Sequence, residues 1–263
     1  MIILQYMFSR FFKREKSDKE KYDELPIPEN ASFSFLGADM HSHFVPGIDD
    51  GAKTDEDSIF LLRSMEGMGY TNVITTPHIM VDFYPNNRQT ILSGLERLRQ
   101  LAIDNSININ INAAAEYYID EYFADLISKE PLLTVYKNEV LVEFSMMYEP
   151  PMLNNVLFNM QANGYRPILA HPERYTSLHN NFDRFLEFKD RGCLLQLNLL
   201  SLTGYYGGNI MNIANRLLDK GLYDYCGTDM HHERHSAAIN NILKTGLYNK
   251  LVNYPFLNSK LCL

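Results

Sequence analysis

Short apolar runs rich in β-branched residues alternate with amphipathic stretches over most of this chain. Residues 34–40, 71–75, 107–115, 139–144, 166–170, 193–197 and 223–226 read as strands. Residues 105–112 alternate Asn with Ile, the period of two that one buried strand face requires. Between these runs, residues 55–68 place Ile59, Leu62, Met65 and Met68 at helical spacing, with Gly69 as the stop. Further helices are predicted over 88–102, 121–127, 151–163 with Pro151 in the first turn, 182–191 before Gly192, 209–220 before Gly221, and from about 236. Each strand is followed by a helix, which argues for a parallel sheet. Seven such units predict an α/β fold, a distorted seven-unit (β/α) barrel, and no GxGxxG turn supports a dinucleotide fold.

The predicted strands end beside residues that can hold a metal or a phosphate. In a barrel of parallel strands those C-terminal ends converge on one mouth. His41 and His43 flank Ser42, so an extended chain points both imidazoles to one side. Asp39 precedes them, and Asp49-Asp50-Gly51 follows in a loop. His78 follows Thr75-Thr76-Pro77, and Glu116 follows three alanines that leave room for a nearby atom. Glu143 sits within Leu141-Val142-Glu143-Phe144, where a charge is costly unless it is paired or bound to metal. His171 opens His171-Pro172-Glu173-Arg174, and Asp229 and His231 are again two apart. Arg174 offers a planar fork that matches phosphate oxygens.

Taken singly, each residue has a structural alternative: a packed or surface histidine, or an Arg or Lys partner for Glu143. Taken together, nine donors are too many for one tetrahedral ion and suit two or three ions with bridging carboxylates. Nitrogen and oxygen donors without thiolate suit Mn, Fe or Zn.

Composition narrows the class. With 263 residues and 46% hydrophobic content the chain can build one sizeable core. Residues 1–31 read as a charged, proline-bearing lead-in and 32–263 as one domain. A net charge of −8 argues against a nucleic-acid binder. Cys193, Cys226 and Cys262 are scattered and odd in number, so a reducing, cytoplasmic compartment is expected rather than a disulfide framework. A Cys-x5-Arg phosphatase loop is excluded, because the required positions hold Leu199 and His232. No run approaches the ~20 apolar residues of a membrane span. Residues 1–22 mix Phe8, Phe11 and Phe12 with Arg10, Lys13 and Arg14. They read as a disordered leader, an extension before a true start at Met7, or at most a peripheral membrane-surface contact.

Asp39-Met-His-Ser-His43, Pro46-Gly-Ile-Asp-Asp-Gly-Ala52, Thr76-Pro-His78, His171-Pro-Glu-Arg174 and Thr228-Asp-Met-His231 together resemble the PHP (polymerase and histidinol phosphatase) superfamily. They look most like its bacterial protein-tyrosine phosphatases from capsule and exopolysaccharide operons. The resemblance runs from about residue 35 to about 250, and Ser201-Leu-Thr-Gly204 through Gly207 shares it. It implies a PHP-type barrel with a trinuclear, manganese-supported site. His41, His43, Glu116 and Asp229 would hold the first ion. Glu116, Glu143 and His171 would hold the second, and Asp50, His78 and His231 the third. Arg174 would bind phosphate, His231 or a metal-bound water would be the candidate to assist the leaving group, and Arg234 is the nearest match to a further family arginine, at an unfamiliar spacing.

The implied reaction is metal-assisted hydrolysis of a phosphomonoester. The implied substrate is a phosphotyrosine protein, a membrane tyrosine autokinase of polysaccharide export. The residues alone reach only a metal phosphoesterase. A histidinol-phosphatase-like enzyme and a non-catalytic metal-binding regulator are the rival readings, and an oligomer is compatible with all of them. A nuclease, known elsewhere in the superfamily, is disfavoured by the acidic charge.

Overall fold

The computed structural model describes residues 25–262. Its elements run β1 (Ala38–Asp39), α1 (Asp55–Gly67), β2 (Asn72–Thr75), β3 (His78–Ile79), α2 (Arg88–Asp104), β4 (Asn110–Ala113), β5 (Glu116–Tyr118) and α3 (Glu121–Leu126). They continue with β6 (Glu139–Glu143), α4 (Leu153–Ala162), β7 (Arg166–Ala170), α5 (Asp183–Asp190), β8 (Leu194–Asn198), α6 (Leu199–Leu202), α7 (Gly208–Asp219), β9 (Tyr225–Gly227), α8 (Glu233–Ile242) and α9 (Gly246–Val252).

Local chemistry sets the helix starts. Thr54 accepts the Asp57 N–H while Asp57 accepts the Thr54 N–H, a reciprocal cap that satisfies two backbone donors. Asp55, Glu56 and Asp57 add negative charge where the helix dipole is positive. Ser58, Leu61, Leu62 and Met65 then bury one face of α1. Asn87 and Thr90 make the same reciprocal cap on α2.

Among the described residues every strand pair is parallel, in the orders β1-β2-β4 and β3-β5-β6-β7-β8-β9. All five residues of β6 and of β8 are buried, as expected for strands covered on both faces. The two sheets are linked across a break at Pro77, which has no N–H to give the ladder. There the Ala114 N–H donates to the Thr75 carbonyl (2.9 Å) and the Glu116 N–H to the Pro77 carbonyl (3.1 Å). At the opposite side Ser42 and Met230 form a parallel bridge, with the His43 N–H on the Met230 carbonyl at 3.0 Å. The result is an α/β fold with a curled parallel sheet surrounded by helices.

Several boundaries differ from the sequence reading. The strand expected over 34–40 begins as a 3-10 turn, Phe33–Phe35, with Phe33 stacked on Tyr70 at 5.6 Å, and only Ala38–Asp39 is strand. The strand expected over 107–115 is shortened to β4. Glu116, expected to close it, instead opens β5. α6 has no counterpart among the expected elements, and the helix expected from about 236 divides into α8 and α9. The basic-aromatic segment, residues 1–22, expected as a leader or a peripheral membrane contact, lies outside the described residues. Among the described residues no helix is long and apolar enough to cross a membrane.

Candidate metal centre

The parallel strand paths, where the sheet breaks and where strands end, and the loops beside them bring all nine expected donors to one place. Glu116, fully buried at the start of β5, is the hub. Its Oε2 lies 3.0 Å from His41 Nε2, 3.4 Å from His43 Nε2 and 3.3 Å from His78 Nδ1. Its Oε1 lies 3.0 Å from His171 Nε2. Asp229 Oδ1 completes a buried group with His41 and His43, at 3.3 and 3.4 Å from their Nε2 atoms.

Glu143 Oε1 sits 3.1 Å from His78 Nδ1, and its Oε2 sits 3.8 Å from His171 Nε2. Asp50 Oδ1 lies 3.5 Å from both His78 Nε2 and His231 Nε2. Three donor groups result: His41, His43, Glu116 and Asp229; His78, Glu116 and Glu143; and His43, Asp50, His78 and His231. The first has the composition that the family resemblance implies. In the second, His78 stands closer to Glu143 than His171 does, and the third gains His43.

The donor chemistry fits cations. His41 Nδ1 is engaged by Gln196 Oε1 (3.0 Å), His43 Nδ1 by Asp49 Oδ2 (2.8 Å) and His231 Nδ1 by the Asp229 carbonyl (2.8 Å). An acceptor at Nδ1 favours a proton there, so each ring in its neutral form turns its Nε2 lone pair inward. Those Nε2 atoms face carboxylate oxygens, and a proton or a bound cation between them satisfies both sides. Nδ1 of His171 is buried with no hydrogen-bond partner.

The electrostatics agree. Burial pushes the His43 imidazole down, but Asp49, Asp229 and Glu116 outweigh it and hold it well above the ordinary value. Burial also depresses His78, yet Glu116 and Glu143 raise it to about 9. Burial raises the Glu116 carboxyl, while His41, His78 and His171 bring it well below the carboxylate range. This is a pocket built to concentrate cationic charge.

The backbone is strained at the same place. His171 (φ 33°) and Asp229 (φ 48°) occupy the left-handed region that non-glycine residues seldom adopt. The His171 N–H donates to Gln196 Oε1 at 3.1 Å, and the Asp229 N–H to the His41 carbonyl at 2.7 Å, which hold these conformations.

Arg174 lines the cavity of about 300 Å³ above the donors. Its Nη1 donates to Asp229 Oδ2 at 2.8 Å, and its guanidinium lies 4.4 Å from the Tyr206 ring centroid. Asn198 Nδ2 donates to the same Asp229 oxygen at 2.7 Å. Arg234, expected as a second catalytic arginine, is not among the residues lining this cavity. It is exposed in the first turn of α8 and borders a separate depression with His232 and Glu233. The helix starting at Glu233 turns it away from the donors.

Several supporting residues are not among the expected site residues. Gln196 and Asn198 bond to donors, and Tyr206, Met146 and His235 line the cavity. Gln196 carries a readable signal, a polar residue inside the apolar run Leu194-Leu195-Gln196-Leu197. Asp49, in the Asp49-Asp50-Gly51 loop, orients His43 rather than joining the donors itself. Tyr206 and Met146 carry no such signal, because only the fold turns their loops toward the site.

One glycine is forced by this geometry. A Cβ at Gly51 would lie 2.1 Å from the His43 carbonyl oxygen and 2.4 Å from His43 Cβ. Gly51→Ala is expected to cost about 3 kcal/mol or more, since the clash is with backbone, and to lower the melting temperature by roughly 6–12 °C. Gly208→Ala, with open space around its Cβ, serves as the control and should leave the melting temperature unchanged or slightly higher in thermal unfolding.

A curled α/β sheet with His, Asp and Glu donors clustered at one mouth defines a candidate metal-binding protein. The chain belongs to the family described as "Capsular polysaccharide synthesis, CpsB/CapC", whose model matches residues 37–245. It is 27% identical over 194 residues to the putative tyrosine-protein phosphatase CapC of Staphylococcus aureus, covering 73% of this chain and 76% of that protein. It is 28% identical over 200 residues to the tyrosine-protein phosphatase CpsB of Streptococcus pneumoniae, covering 74% and 82%. Among solved structures it resembles a chain from the crystal structures of YwqE from Bacillus subtilis and CpsB from Streptococcus pneumoniae, described as unique metal-dependent tyrosine phosphatases. The TM-score is 0.72 at 25% identity, over 79% of this chain and 86% of that one.

Proposed function

We infer that this chain is a metal-dependent protein-tyrosine phosphatase of capsular polysaccharide synthesis. The observation that carries the reading is Glu116, one fully buried carboxylate facing four imidazoles, with a phosphate-matching arginine on the wall above it. Family membership and the named activities of the relatives point the same way.

His41, His43, Glu116 and Asp229 would hold one ion, Glu143 with His171 and His78 a second, and Asp50, His78 and His231 a third. Manganese is the proposed metal, with iron and zinc sharing the donor preference. Bound cations supply Lewis acidity toward phosphoryl oxygens and lower the pKa of water toward ~7. Arg174 binds the phosphate through its planar fork, held in place by Asp229 on one side and by Tyr206 stacked beneath it. The leaving group is a phenolate, and a phenol pKa of ~10 asks for less proton donation than an alkoxide would. The Nε2 of His231 shares Asp50 with His78, which favours a ligand role for it over a proton donor.

The proposed architecture is a distorted seven-unit PHP barrel over residues 32–263. Its support is the pairing across Pro77 and the Ser42–Met230 bridge that joins the first and last strand paths. The proposed compartment is cytoplasmic, and the proposed partner is a membrane tyrosine autokinase carrying phosphotyrosine. Comparing turnover of phosphotyrosine peptides with that of histidinol phosphate tests the substrate class. Preference for histidinol phosphate would overturn it.

Cysteine chemistry has no part in this reading. Burial pushes the Cys193 thiol up to about 11 and the Cys226 thiol well above its ordinary value, so neither supplies a thiolate at neutral pH. Cys193→Ala and Cys226→Ala should each retain kcat within about threefold, which is less than 1 kcal/mol in the barrier. A loss above tenfold in a folded, metal-loaded variant would contradict the mechanism.

A further inference from the structure

We propose that an apolar rim on one side of the cavity docks the residues flanking phosphotyrosine in a protein substrate, selecting polypeptides with apolar or aromatic neighbours and without acidic ones. This rests on the phosphatase reading above and extends it from the phosphoryl group to the substrate chain.

The rim comes from three adjacent strand ends, since β3 pairs with β5 and β5 with β6. Each of these strands also carries a donor of the metal centre: His78, Glu116 and Glu143. A few residues beyond those donors the chain turns large apolar side chains outward. Phe83 is 69% exposed, Met147 75% and Tyr148 60%. Single exposed apolar residues are ordinary, but a concentration of them beside a functional cavity marks a binding surface. Met146, immediately before Met147, lines the cavity itself, so rim and site are continuous. Tyr118, the last residue of β5, lies near Ser145 and Tyr148, which brings the β5 and β6 loops together.

These side chains stand on anchored backbone. Met80 and Tyr84 exchange two backbone hydrogen bonds, at 3.1 and 2.7 Å, which makes the turn bearing Phe83 a closed hairpin. Thr176 donates to the Met146 carbonyl through both its N–H (2.8 Å) and its hydroxyl (2.9 Å). Arg184, itself buried, grips Glu149 with two nitrogens at 2.6 and 3.0 Å. Apolar surface held out on a fixed frame has little ordering cost left when a peptide lies on it.

Charge restricts the occupant further. Asp82 and Asp120 lie close enough to interact on the same rim, and the chain as a whole carries a net charge of −8. Acidic residues beside phosphotyrosine would meet like charge here. The dianionic phosphoryl group itself goes to the cation-concentrating donors and Arg174.

The test compares the metal-loaded parent with the Phe83→Ser, Met147→Ser, Tyr148→Ser triple variant. The substrates are p-nitrophenyl phosphate and three phosphotyrosine peptides whose flanking residues are leucine and phenylalanine, glycine and serine, or aspartate and glutamate. The parent should favour the apolar-flanked peptide and disfavour the acidic one. The triple variant should raise KM for the apolar-flanked peptide about tenfold or more, the factor given by 1.4 kcal/mol of docking energy. Its kcat, and its turnover of p-nitrophenyl phosphate, should not change. A fluorescent apolar-flanked phosphopeptide should show the same loss of affinity by anisotropy on His171→Ala protein.

A parent that hydrolyses p-nitrophenyl phosphate without preference among the peptides would overturn the docking rim while leaving the phosphatase reading intact. So would a triple variant that impairs all substrates equally. Unchanged peptide kinetics with a smaller sedimenting species would assign the rim to a second copy of the chain, also overturning it. A metal-loaded parent inert on every ester would overturn both.

Discussion

Glu116→Gln should lose nearly all phosphotyrosine hydrolysis, and it should lose metal as well. The change is nearly isosteric, so the fold survives, but one buried negative charge disappears from the point where the donor groups meet. Both carboxylate oxygens are used: Oε2 faces His41, His43 and His78, while Oε1 faces His171. The amide nitrogen of glutamine would turn hydrogens toward imidazole lone pairs on one of those sides. Losing a residue that merely supports a ligand costs ~10–100-fold in metal affinity or activity. A shared ligand should exceed that, so a fall in kcat/KM of more than about 100-fold is expected. Metal content by elemental analysis, with circular dichroism to verify folding, checks the prediction. Full metal content with near-normal turnover would remove Glu116 from the centre of the mechanism.

Arg174→Ala should behave differently, keeping metal while losing catalysis. Its guanidinium is not a metal donor, and its place is on the cavity wall, tied to the outer oxygen of Asp229. Removing one donor aimed at charge that develops in the transition state costs roughly 10²–10³-fold in kcat, and a similar loss is expected here. Arg174→Lys should restore little of it. An ammonium lacks the planar fork and cannot reproduce the stacking on Tyr206. Steady-state kinetics at saturating metal make the measurement, and a loss that extra metal repairs would move Arg174 from substrate binding to site assembly.

Much of this site was legible because its donors follow short apolar strands, and parallel strands bring such ends together whatever their separation in sequence. His41 and His43 could be paired from the two-residue repeat alone. Glu143 and His171 stood out as polar residues at the ends of apolar runs. The supporting layer was less legible. Gln196 engages His41 Nδ1 and the His171 N–H at once, a role that no spacing reveals. Asn198 and Tyr206 reach Asp229 and Arg174 only because β8 ends beside them. Arg234 is the converse case. The family resemblance makes it the nearest match to a further arginine, but it lies exposed in the first turn of α8 and does not line the cavity. Strand breaks were hidden as well. Pro77 was visible, whereas the resumption of pairing at His78 and Glu116 depends on the partner strand rather than on local pattern.

The most direct test of the central claim is hydrolysis of a phosphotyrosine peptide by metal-stripped protein, before and after addition of Mn²⁺, with His171→Ala in parallel. Phosphate release that is absent without metal, restored by Mn²⁺ and abolished in His171→Ala is the expected result. No release from protein verified to contain metal, or equal release with and without it, would contradict the assignment of this chain as a metal-dependent tyrosine phosphatase.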